Sequence, residues 1–123
     1  MAVLKLITPA TRGNNMLEIT KNNLDKEILK SKIPAIVDFW AEWCMPCKMM
    51  APVFKELSEF YGKRLKFAKV NTENNQNIAS KFGISGIPTL LIINKGEVID
   101  RIVGFTSKEV LKEKIDVIIS KIK

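Results

Sequence analysis

The chain has 123 residues, enough for one domain, and 46% hydrophobic with 27% charged residues is an ordinary globular balance. Twenty Lys and Arg against 13 Asp and Glu give a net charge of +7, but the lysines are spread along the chain, without the basic face or motif of a nucleic-acid binder. With no histidine and only two cysteines, a Ser-His-Asp triad, a Cys-His pair, any His-ligated metal site, a Cys₄ zinc site and a disulfide-rich scaffold are all excluded.

Residues 1–15 read as an N-terminal extension. Their apolar stretch from Val3 to Ile7 is interrupted by Lys5 and ended by Pro9, which is not the pattern of a secretory signal. The longest apolar runs, such as residues 89–93, fall far short of the roughly 20 residues a membrane helix needs. The expectation is a cytoplasmic protein in a reducing compartment, with no membrane or nucleic-acid partner, acting as a monomer. Residues 17–20 alternate as a strand does, and residues 22–32 have helical spacing at Leu24, Ile28 and Leu29, with Asn22 or Asn23 as N-cap and Pro34 closing the segment.

Residues 35–40 form an almost unbroken apolar run, the pattern of a strand covered on both faces, in which Asp38 is the exception. From Cys44 to Tyr61 a helical stripe follows through Met50, Val53, Phe54, Leu57 and Tyr61, with Pro52 predicting a kink. Residues 65–70 alternate again, and residues 78–82 allow a short helix ended by Gly83. Strands over 89–93 and 98–103 are joined through Asn94-Lys95-Gly96, a hairpin signal. Ser107 caps a last helix whose apolar face is Leu111, Ile115, Ile118 and Ile122. The order β-α-β-α-β-α-β-β-α predicts an α/β fold, a mixed central sheet flanked by helices on both faces, as one domain over residues 16–123.

Cys44 and Cys47 stand in Trp43-Cys44-Met45-Pro46-Cys47-Lys48, between a buried strand and a helix. At a helix N-terminus, free N–H groups and the helix dipole favour a thiolate, the reactive species in disulfide exchange. Cys47, further into the first turn, is expected to be less exposed and to act as the resolving thiol. Pro46 suits the first turn, where its missing N–H costs little. A C-x-x-C pair in this setting reads as a redox site. A structural bridge, or half of a metal site shared between two chains, are the other readings of the spacing.

The segment V-D-F-W-A-E-W-C-M-P-C-K from Val37 resembles the active-site signature of the thioredoxin family, and the resemblance continues in Ala51-Pro52, F-A-K-V-N from Phe67, G-I-S-G-I-P-T-L from Gly83, Gly96 and Val103-Gly104. It implies the thioredoxin fold and a thiol–disulfide oxidoreductase that reduces protein disulfides and is itself reduced by thioredoxin reductase. The only cofactor implied is its own Cys44–Cys47 disulfide, with no metal. Asp38 matches a buried carboxylate that moves the proton of the resolving cysteine; from its apolar strand alone, its pKa should be raised by desolvation. Lys69 matches the lysine that approaches this carboxylate, and Pro88 the proline whose preceding peptide bond is cis beside the disulfide. Trp43, Met45, Pro46, Ile87 and Gly104 fall on the rim that grips target polypeptides, while Trp40 packs beneath the site. Met45 stands where the family usually has glycine, and residues 1–15 have no counterpart in the minimal fold.

Overall fold

The apolar run of residues 35–40 is the centre of a five-stranded sheet. The computed structural model describes residues 16–122; the expected extension over residues 1–15 lies outside the described residues. In chain order the strands are β1 (Leu17–Glu18), β2 (Ala35–Trp40), β3 (Lys66–Asn71), β4 (Thr89–Asn94) and β5 (Glu97–Val103), and the helices are α1 (Asp25–Leu29), α2 (Met45–Tyr61), α3 (Gln76–Lys81) and α4 (Lys108–Ser120). Across the sheet the order is β1-β3-β2-β4-β5. The first three strands are parallel, and β4 and β5 each run antiparallel to the neighbour before them. This is the mixed α/β sheet expected.

Side-chain alternation along β2 divides the core in two. Ile36 faces α2 and α4, where it packs with Met50, Phe54, Leu57, Tyr61, Leu111 and Ile115. Ala35, Val37 and Phe39 face the other way, onto Ile28 of α1 and Ile78 of α3. A strand covered on both faces has no polar side, which explains its continuous hydrophobicity. Asp38, two residues after Ile36, shares its face and so lies on the α2 side.

Several boundaries differ from expectation, α3 among them at Gln76–Lys81. Strand β1 keeps two residues and α1 is a five-residue π-helical turn rather than a helix over 22–32. The cause is Asn23: its Oδ1 accepts the Thr20 N–H at 2.8 Å and its Nδ2 donates to the Glu18 carbonyl at 2.9 Å. That side chain ties off the end of β1 instead of capping α1, and the Thr20 amide is lost to the ladder. At the C-terminus, Ile122 lies beyond α4, and Ile119 joins Ile118 against the core in its place.

Two other local signals, the turn between β4 and β5 and the Ser107 cap, appear as read. Helix α2 runs on through an exposed Pro52. Lys95 and Gly96 both have positive φ, at 53° and 81°, which is the backbone of the tight turn joining β4 to β5. The Ser107 hydroxyl accepts the Val110 N–H and caps α4.

Candidate active site

Strand β2 ends at Trp40, and the chain turns through Ala41, Glu42 and Trp43 into α2, whose N-cap is Cys44. Cys44 and Cys47 form a disulfide with Cα atoms 5.2 Å apart. The Cys44 sulfur also accepts the Cys47 N–H at 3.2 Å, so it fulfils the capping role usually taken by a hydroxyl or carboxylate oxygen. Pro46 falls in the first turn, where no N–H is needed. The two cysteines are almost equally shielded, at 4% and 3% exposure, contrary to the expected contrast. Ala41 clusters with both cysteines and Ile87 packs against them, so what distinguishes the two is position, one at the cap and the other inside the first turn.

A second loop meets the disulfide from the start of β4. The Ile87–Pro88 peptide bond is cis and Pro88 is buried. The Ile87 carbonyl oxygen lies 3.9 Å from the Cys44 sulfur. Gly104, at the end of β5, donates its N–H to the Pro88 carbonyl at 2.8 Å, and it does so with φ at 91°, a conformation a side chain would strain. Ile87, Pro88 and Gly104 are thereby joined in one backbone assembly facing Cys44.

Beneath the helix, Asp38 is fully buried and neither carboxylate oxygen has a hydrogen-bond partner. Burial pushes its pKa up from 3.8 to about 7, against the opposing pull of the Lys69 ammonium. Lys69 is the direct β3 neighbour of Asp38 in the parallel ladder. Its Nζ sits 4.6 Å from the centre of the Trp40 ring, so the cation rests on an aromatic face while acting on the carboxylate at longer range. Trp40 in turn packs on the cysteine pair.

On the outside, Trp43 and Met45 are 66% and 65% exposed, and Pro46 is exposed beside them. A groove lined by Trp43, Thr72, Ala79, Ile84 and Ile87 flanks the disulfide. One contributor went unread in the sequence. Glu73 accepts the Trp43 indole N–H at 2.8 Å and fixes that ring at the groove wall. It lies 30 residues away in an asparagine-rich loop, and no periodicity or motif marks it. No group of three or more His, Cys, Asp or Glu that could hold a metal occurs among the described residues. None of their helices is long and apolar enough to cross a membrane.

A disulfide at the cap of a helix, facing a cis-proline loop on a mixed sheet, defines a thiol–disulfide exchange site. A family model for thioredoxin matches residues 15–117. Thioredoxin 1 of Synechococcus elongatus is 44% identical over 98 residues, covering 80% of this chain and 92% of that protein. The thioredoxin of Buchnera aphidicola from Acyrthosiphon pisum is 44% identical over 103 residues, 84% of this chain and 95% of its own length. That of Chlorobaculum thiosulfatiphilum is 46% identical over 99 residues, with 80% and 92% covered. The chain belongs to the thioredoxin family, and it is a thiol–disulfide oxidoreductase, a disulfide reductase that carries its electrons on a dithiol.

Proposed function

We propose that Cys44 is the nucleophile and Cys47 the resolving thiol in reduction of disulfides within target proteins. The observation that carries this is the cap of α2: the Cys47 N–H points at the Cys44 sulfur at 3.2 Å, an arrangement that stabilises a thiolate there. The Cys44 thiolate attacks one sulfur of the target disulfide, that S–S bond breaks, and the target's other sulfur leaves as a thiolate. Cys47 then loses its proton and attacks the Cys44 sulfur. The mixed disulfide breaks, the target leaves as a dithiol with two added electrons, and Cys44 and Cys47, having given up those two, are joined as a disulfide.

Asp38 takes the Cys47 proton in this scheme. A carboxyl with a pKa of about 7 exists in both forms at neutral pH, as a group that must accept and return a proton requires. Lys69 keeps that value from rising further. Pro88 presents the loop that lies against Cys44, and Trp43, Met45, Pro46, Ile87 and Gly104 hold the target polypeptide. Thioredoxin reductase restores the dithiol with two electrons and two protons; the disulfide is the whole redox equipment, with no added cofactor or metal. The protein works in the cytoplasm as a monomer, with residues 1–15 an extension to a thioredoxin domain over residues 16–123.

The test is capture. Cys47→Ser protein should accumulate covalent complexes with disulfide-bearing partners, since the mixed disulfide has no resolving thiol. Cys44→Ser should capture none and should have no reductase turnover. Preferential capture by Cys44→Ser would reverse the assignment.

A further inference from the structure

Cys44 and Cys47 are not the only sulfurs at this end of the molecule. Met45 and Met49 stand one turn apart on α2, 65% and 54% exposed, and Trp43, two residues before Met45, is exposed as well. Residues at this spacing are neighbours on a helix surface. Met50, next in sequence, is fully buried beneath the same helix. While the cysteines are joined they offer no thiolate to an oxidant, and each is nearly covered. In that state the thioethers of Met45 and Met49 are open to an oxidant at this end of the molecule.

We propose that Met45 and Met49 are a peroxide-responsive modification site that weakens target docking in the oxidised protein. The proposal rests on the reading that this rim receives target proteins. A hydroperoxide transfers one oxygen to the thioether sulfur: its O–O bond breaks, an S–O bond forms, sulfur loses two electrons, and the peroxide leaves as water or an alcohol. The sulfoxide places a strong dipole where a polarizable apolar group had faced the partner, and the contacts a thioether makes with aromatic or aliphatic groups are lost. The change is reversible, since methionine sulfoxide is returned to the thioether by dedicated reductases. Two adjacent sites on one helix face make the loss larger than either alone.

The experiment exposes the oxidised full-length protein to hydrogen peroxide, removes the peroxide, maps the sulfoxides by peptide mass spectrometry, and measures reductase turnover with insulin as the disulfide substrate. Oxygen is expected at Met45 and Met49 and not at Met50. KM for insulin is expected to rise by about three- to tenfold with kcat nearly unchanged, and treatment with methionine sulfoxide reductases should restore it. Met45→Leu/Met49→Leu protein, compared before and after peroxide with itself as reference, should show no rise. An unchanged KM in doubly oxidised wild type, or an equal loss in the double variant, overturns the proposal. Failure of untreated protein to reduce insulin would instead overturn the reading beneath it.

Discussion

Helix α2 is flanked by two aspartates in opposite circumstances. Asp38 lies under its first turns, fully buried and without a hydrogen bond. Asp116, on α4, meets its far end, where Oδ1 accepts the Tyr61 hydroxyl at 2.6 Å and Oδ2 the Lys112 ammonium at 3.0 Å. Burial raises the Asp38 pKa, whereas the hydrogen bonds from Tyr61 and Lys112 hold the Asp116 carboxyl below its ordinary value. Burial and the bond to Asp116 push the Tyr61 hydroxyl up in turn. One end of the helix is therefore a polar contact with its partners in place. The other keeps a carboxyl deprived of partners, which is unfavourable for the fold and useful for proton transfer.

The two ends should respond to pH with opposite sign. For Asp38 the folded value of about 7 exceeds the unfolded 3.8, so ionising it works against the fold. That destabilisation is absent below 3.8, grows as pH rises between the two values, and is complete above about 7. For Asp116 the folded value lies below 3.8, so its contribution is present above 3.8 and is lost as pH falls through the lowered value. Its side chain is 45% exposed, and solvent screening keeps that contribution small.

The largest expected effect comes from breaking the deprived end. Asp38→Ala should stabilise the oxidised protein by about 2–4 kcal/mol at pH 8, judged at roughly 1.4 kcal/mol for each unit of a raised pKa and reduced by the small cavity left. The gain should shrink below pH 7 and be nearly gone by about pH 4, as urea unfolding at both pH values would show. Turnover should slow if Asp38 accepts the Cys47 proton as proposed. A variant clearly less stable at pH 8 would refute the account. Lys69→Met sharpens it: with the ammonium gone, the Asp38 pKa should rise further, and the pH profile of reductase turnover should shift to more alkaline values.

A smaller effect, opposite in sign, is expected from the satisfied end. Tyr61→Phe keeps the buried ring and removes one hydrogen bond to a partly exposed carboxylate, so it should cost about 1 kcal/mol in urea unfolding. Unlike the Asp38→Ala effect, this cost should be present at both pH 8 and pH 4, and turnover should be unaffected. Equal pH dependence in the two variants would erase the distinction between the ends.

The smallest stability effect is expected at the rim. Met45→Gly loosens the first turn of α2 and should cost no more than about 1 kcal/mol. The reduction potential should move by less than roughly 30 mV, while rates with reductase or targets change severalfold. A larger shift in potential with equal rates toward every partner would show that Met45 tunes the disulfide and does not shape the docking surface.

What could be read from the sequence followed local chemistry. An apolar run interrupted by one aspartate announced both the central strand and Asp38, and C-x-x-C after that strand announced the redox pair. The spacing of Met50, Phe54, Leu57 and Tyr61 gave the buried face of α2. Long-range placement was not readable in the same way. Lys69 alone is an ordinary strand lysine, and only the pairing of β2 with β3 sets it beside Asp38. Glu73 reaches Trp43 because two loops meet above the sheet. The cis geometry before Pro88 was expected from resemblance alone, and Asn23 shortened β1 and α1 through side-chain bonds that compete with regular structure.

Because the sulfur of Cys44 also begins α2, chemistry and architecture share one atom at this position. Serine carries an oxygen in the same place and is among the favoured helix caps. A descendant that exchanged Cys44 for serine through a single base change would lose all electron traffic yet keep the start of the helix, the cis-proline loop and the exposed rim. If the rim holds target polypeptides as proposed, such a chain would still recognise the surfaces its ancestor reduced. The ancestry of a redox carrier and that of a purely adhesive module thus lie within one inheritable step of each other, because the fold does not require the thiol to be reactive.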